Sequence, residues 1–124
     1  MTAHRKGLGY EWKVRDKFRA LGYVYACTSR GVDRSLDAAG VDLANTGDFL
    51  VQCKAVERGL SAHKILDHMP KWEGKTRLMI HKRNIRKQYG GEVVSMYWAD
   101  FEKLVIDANK ARSLDNETRR TKED

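Results

Sequence analysis

The chain has 124 residues, 41% hydrophobic and 33% charged, enough for one domain with a buried core that needs no disulfide or metal staple. Lys and Arg outnumber Asp and Glu by 24 to 17, for a formal net charge of +7, which on so small a domain points to a polyanionic partner, nucleic acid first. No apolar run approaches the ~20 residues that span a bilayer, the N-terminus has no apolar signal core, and Cys27 and Cys53 lack zinc-site spacing; the expectation is a cytoplasmic protein with free thiols, no membrane and no small-molecule cofactor.

The first element is a helix over about Leu8 to Leu21. Val14, Phe18 and Leu21 repeat at helical spacing and Gly22 suits the position just past its end. Glu11 lies on the same stripe, so a carboxylate faces the core. Tyr23 to Thr28 reads as a strand from its aromatic and β-branched content. The polar run Ser29 to Gly40 reads as a loop. Val41 to Ala44 and Phe49 to Lys54 read as two strands of a hairpin about the turn "NTGD".

Gly59 to Gly74 reads as a helix with Ser61 as N-cap, ended or kinked by Pro70. Ile65, Leu66 and Met69 form its apolar face. Thr76 to Lys82 is a strand, "HKRNIRKQYGG" a basic loop, and Glu92 to Trp98 another strand. A last helix follows with Phe101, Leu104, Val105 and Ala108 on one face. Residues 1–111 then form one domain, and 112–124 a polar, flexible tail. The order α-β-β-β-α-β-β-α implies an α/β fold, a mixed sheet flanked by helices.

Asp42, Gln52 and Lys54 interrupt the two apolar strands of the hairpin. Strand alternation puts Gln52 and Lys54 on one face. A three-residue loop would set Asp42 opposite Gln52; a four-residue loop would set it opposite Val51, on the other face. In the first register a carboxylate and an amide oxygen could hold a hard divalent cation, with Lys54 stabilising charge on a phosphate. Glu11 could reach the same place from the first helix. Each of these residues has a structural alternative: Asp42 a strand start, Lys54 a strand exit, Glu11 a first-turn acid. The joint pattern favours a site.

That pattern, with the start "KGLGYE" (Lys6 to Glu11), resembles the PD-(D/E)xK nuclease superfamily, and more narrowly its small archaeal-type and phage-type Holliday junction resolvases. The resemblance covers roughly residues 6–105. It implies an α-β-β-β-α-β core of restriction-endonuclease-like type and a metal-dependent endodeoxyribonuclease that hydrolyses phosphodiesters in four-way junction DNA. It further implies Mg²⁺, with Mn²⁺ substituting, a homodimer on branched DNA, and a place in DNA recombination and repair, in the host cytoplasm if the chain is phage-encoded. Residue by residue, Glu11 matches the helical acid, Asp42 the motif Asp and Lys54 the motif Lys. Gln52 stands where the second acid is usual, so Asp42, Gln52 and Glu11 become the metal set. Asp37 or Asp33 could supply the missing charge, and Ser29 and Arg30 match family positions near the scissile phosphate. Arg5, Lys6, Arg30, Arg34, Lys82, Arg83, Arg86 and Lys87 are the candidate DNA contacts. Met96, Tyr97, Trp98 and Trp72 are candidates for the dimer surface. His63 and His68, five apart, have poor metal-ligand spacing and read as surface residues. The rival readings are a nuclease of the same fold on flap, nicked or duplex DNA, and a catalytically silent DNA-binding protein.

Overall fold

The computed structural model describes residues 3–56, 60–83 and 91–123, with side chains in 9–55, 60–82 and 91–121. Its elements in chain order are α1 (Ala3–Ala20), β1 (Cys27–Thr28), α2 (Ser29–Val32), α3 (Arg34–Ala38), β2 (Leu43–Ala44), β3 (Phe49–Val56), α4 (Ala62–His68), β4 (Thr76–Arg83), β5 (Val93–Ser95) and α5 (Trp98–Glu123). The fold is mixed α/β.

The main sheet has three strands in the order β3-β4-β5, parallel between β3 and β4 and antiparallel between β4 and β5. Parallel neighbours need a crossover, and α4 provides it. Ser61 caps α4 by accepting from the Lys64 N–H, and Pro70 follows soon after its end. Helices cover both faces. Tyr10, Val14 and Phe18 of α1 pack on the face bearing Val51, Cys53, Leu78 and Ile80. Leu66 and Met69, from α4 and its end, pack with Val41 on the face bearing Leu50 and Met79. The mixed sheet between helices is therefore as the sequence pattern predicts.

Four local expectations change. The hairpin of β2 and β3 does not form as a ladder: β2 pairs antiparallel with β1 in a separate two-stranded ribbon, and β3 spends its bonds on β4. The "NTGD" turn survives, with left-handed backbone at Asn45 (φ 61°) and Gly47 (φ 62°) and the Phe49 N–H donating to the Thr46 carbonyl. The strand expected over Tyr23 to Thr28 shrinks to Cys27–Thr28, because Tyr23 turns inward to stack near Phe18 and Phe49. The Ser29 to Gly40 loop contains two short helices, and the C-terminal tail continues α5 to Glu123.

Asp33, a candidate auxiliary acid, is used locally. Its carboxylate accepts from the Leu36 N–H as the N-cap of α3. Among the described residues no helix is long and apolar enough to cross a membrane.

Candidate functional site

Asp42 lies along the free edge of β3. Its N–H donates to the Val51 carbonyl at 2.7 Å and its Oδ2 accepts from the Cys53 N–H at 2.8 Å. The two bonds bracket Gln52, so Asp42 sits across from it, the register that brings the motif together. The carboxylate replaces the backbone of a neighbouring strand at this point.

The segment that carries Asp42 is held from behind by Ser29, which is fully buried. Its N–H donates to the Asp42 carbonyl at 2.8 Å and its hydroxyl donates to the Val41 carbonyl. Ser29 thus positions Asp42, and its hydroxyl is spent on the backbone instead of facing a phosphate.

Glu11 arrives from α1 and is 4% exposed. Its Oε1 accepts from Arg30 at 3.2 Å. Burial pushes its carboxyl above the ordinary 4.5, the Asp42 charge pushes it further, and Arg30 pulls it back. Asp42 is likewise held above its ordinary 3.8, first by burial, against the Cys53 hydrogen bond and the charges of Lys54 and Arg30. Asp37, exposed on α3, raises both acids. Glu11, Arg30, Asp37, Asp42 and Lys54 therefore share one electrostatic neighbourhood.

They do not share one face of the sheet. α1 packs on the side of Val51 and Cys53, whereas Gln52 and Lys54 alternate to the side of Leu50. The site wraps around the open edge of β3 with Asp42 at its rim.

Two oxygens in this arrangement are buried without a hydrogen-bond partner, Glu11 Oε2 and Gln52 Oε1. A buried acceptor left unsatisfied costs about 1–3 kcal/mol, and a water or a cation would satisfy it. Two carboxylates and an amide oxygen are the donor chemistry of a hard divalent ion. By contrast, no group of three or more His, Cys, Asp or Glu side chains among the described residues is arranged to hold a metal. A three-ligand set at this edge would need the Gln52 amide beside the two carboxylates.

Sequence reasoning missed His81 near the site; His68, read as a surface residue, is exposed. Lys54 pairs with His81 in the parallel register of β3 and β4, so the two share a face. Burial holds the His81 imidazole below 6.5, and its Nε2 lies 3.1 Å from the Ser95 hydroxyl. The alternation of β4 could have placed it. His68 sits at the end of α4 over Gly40, a position no sequence spacing encodes. Gly40 has φ 82°, and a Cβ there would lie 2.7 Å from His68 Cδ2 and 3.6 Å from Gln52 Oε1. Gly40→Ala should accordingly lower stability by about 1–2 kcal/mol through the left-handed backbone, read as a reduced denaturation midpoint, and displace the His68 ring.

The DNA-contact candidates are dispersed. Arg30 is engaged with Glu11, Arg34 is exposed on α3, and the Lys82 ammonium lies 5.0 Å from the centre of the Tyr10 ring. Arg5, Lys6 and Arg83 belong to α1 and β4 by their backbone, with side chains outside the described set, and Arg86 and Lys87 lie outside the described residues. No protein-family model, no curated protein and no solved structure matches this chain.

Proposed function

We propose that the chain is a Mg²⁺-dependent endonuclease of restriction-endonuclease-like core, acting on branched DNA, four-way junctions first. The observation that supports this best is the seating of Asp42 across from Gln52, with Glu11 and Lys54 in its field and two oxygens of the set left without partners. Asp42, Gln52 and Glu11 would hold the ion, and Mn²⁺ would substitute. When bound, it would supply Lewis-acid activation of water and of the scissile phosphate.

The chain's own residues do the rest. Lys54 stabilises charge developing on the phosphate. Arg30, 39% exposed at its side chain and paired with Glu11, would release Glu11 and meet a phosphate oxygen. Buried Glu11 and Asp42 hold protons more tightly than free carboxyls, so charging them favours cation entry. The surplus of positive charge supplies non-specific attraction to the DNA backbone. Two symmetric cuts call for a two-fold dimer.

The test is a panel of labelled four-way junction, flap, nicked and linear duplex DNA with Mg²⁺, Mn²⁺ or EDTA. Cleavage of the junction that needs a divalent ion and exceeds cleavage of linear duplex is the expected result. Cleavage of another member alone reassigns the substrate, and no cleavage of any member with any ion removes the enzyme reading. One observation favours a catalytically silent DNA-binding protein instead: Gln52 brings no charge, and Arg30 already neutralises Glu11. Salt-sensitive DNA binding without cleavage would support it.

A further inference from the structure

Three polar side chains from three neighbouring strands line one face of the sheet. Lys54 of β3 pairs with His81 of β4 in the parallel register, and the His81 Nε2 lies 3.1 Å from the Ser95 hydroxyl of β5. All three residues are half-buried, so the row keeps access to solvent. Asp42 sits on the other side of β3, where its carboxylate accepts from the Cys53 N–H. Asp42 and His81 therefore flank Lys54 from opposite directions, two strand spacings or about 10 Å apart between backbones.

That order bears on phosphodiester hydrolysis. The attacking and leaving oxygens stand in line on opposite sides of phosphorus. With water activated at the Asp42 rim and the outer phosphate oxygens on Lys54, the leaving oxygen would point away from Asp42, toward His81. An alkoxide leaves poorly unless it is protonated as its bond breaks. An imidazolium carries a proton on each nitrogen. In His81 the Nε2 proton is held by Ser95, which leaves the Nδ1 proton to give. Burial makes that proton easier to give than one on a free imidazolium.

We propose, resting on the reading of this edge as a phosphodiester-cleaving site, that His81 is its general acid and protonates the leaving oxygen, with Ser95 as the residue that positions the ring. A water oxygen bonds to phosphorus and its proton passes to solvent. The bond from phosphorus to the leaving oxygen breaks, its electron pair stays on that oxygen, and the oxygen takes the Nδ1 proton. Neutral His81 then regains a proton from solvent.

The test uses the full chain with Mn²⁺ on two versions of the DNA that the parent cuts, one natural and one with sulfur in place of the bridging oxygen that the parent releases. A thiolate leaves without a proton, because thiols ionise near ~8.5. His81→Gln should slow cleavage of the natural DNA about 100-fold or more and of the sulfur DNA by less than about threefold. Ser95→Ala should show the same selective loss to a smaller extent. DNA binding in EDTA, read by fluorescence anisotropy, should match the parent for both variants. An equal loss on both substrates, or a His81→Gln chain that cuts natural DNA at the parent rate, overturns the inference and leaves the nuclease reading standing. A parent that cuts no DNA removes both. Should His81→Gln fail to fold, the ratio of the two rates for Ser95→Ala decides.

Discussion

Asp42→Asn is expected to reduce metal-dependent cleavage by at least about 100-fold while raising the thermal stability of the metal-free protein. The two effects have one cause. Asparagine is nearly isosteric, and its amide oxygen can still accept from the Cys53 N–H, so the edge of β3 stays closed. What disappears is a negative charge that burial disfavours and that raises the proton affinity of Glu11. A ligand for a cation is lost, and a source of strain in the empty site is lost with it. If Asp42 merely ended a strand, the substitution would leave cleavage intact, and Mg²⁺ would shift the melting temperature of neither protein. Differential scanning fluorimetry with and without Mg²⁺, beside a junction-cleavage time course, reads both quantities on one preparation.

The same residues set the pH dependence. A carboxyl whose folded-state pKa lies above its unfolded value is protonated more readily in the folded protein, so it favours folding at low pH and ceases to as pH rises through the folded value. Glu11 and Asp42 are both of this kind, rising from 4.5 and 3.8. Metal-free protein therefore loses their contribution as pH climbs above the ordinary carboxylate range, and Asp42→Asn removes part of that slope. A bound divalent ion favours the charged forms and so opposes the loss. The stabilisation by Mg²⁺ should grow with pH over that window.

How far the site was legible depends on the range of the forces that build it. Local pattern sufficed for the existence of α1 and α4, not for their bounds: α1 starts at Ala3 instead of Leu8 and leaves Leu21 exposed, and α4 spans Ala62–His68 instead of Gly59 to Gly74. Val14 and Phe18 recur at helical spacing and are buried, Glu11 lies on their stripe and is buried with them, and Ser61 caps where a serine should. Alternation sufficed for Gln52 and Lys54. The register of Asp42 needed the tertiary structure, because it is fixed by Ser29 gripping the strand from twelve or more residues away and by β2 pairing with β1 instead of β3. Aromatic content at Tyr23 and Tyr25 suggested a strand, but a turn that seats Tyr23 against Phe18 and Phe49 wins over that propensity. The α2–α3 segment is too short to show helical periodicity, and its Asp33 cap lies among other polar residues that read equally as loop. The face of α5 was legible as apolar, but a pattern cannot say whether the chain itself covers it, and Phe101 and Val105 lie exposed.

Gln52 carries the remaining weight of the site, and Gln52→Glu is expected to tighten Mg²⁺ binding by about tenfold or more, at the expense of metal-free stability. Gln52 Oε1 is buried without a hydrogen-bond partner, so on the proposed reading this oxygen is available to a cation. Glutamate offers the same oxygen with a full charge, which attracts a cation more strongly in a partly desolvated site. Without the ion, that charge joins Asp42 and Glu11, whose pKa values are already raised, and the empty fold becomes less stable. Gln52→Leu makes the opposite cut: it removes the oxygen, keeps the bulk, and should abolish both Mg²⁺ stabilisation and cleavage while relieving the unsatisfied acceptor. Isothermal titration with Mg²⁺ and melting curves of the three proteins separate the cases. Equal Mg²⁺ affinity in all three would show that the amide holds no ion. A graded series, glutamate above glutamine above leucine, would show that the amide is a working ligand whose neutrality weakens the site without closing it.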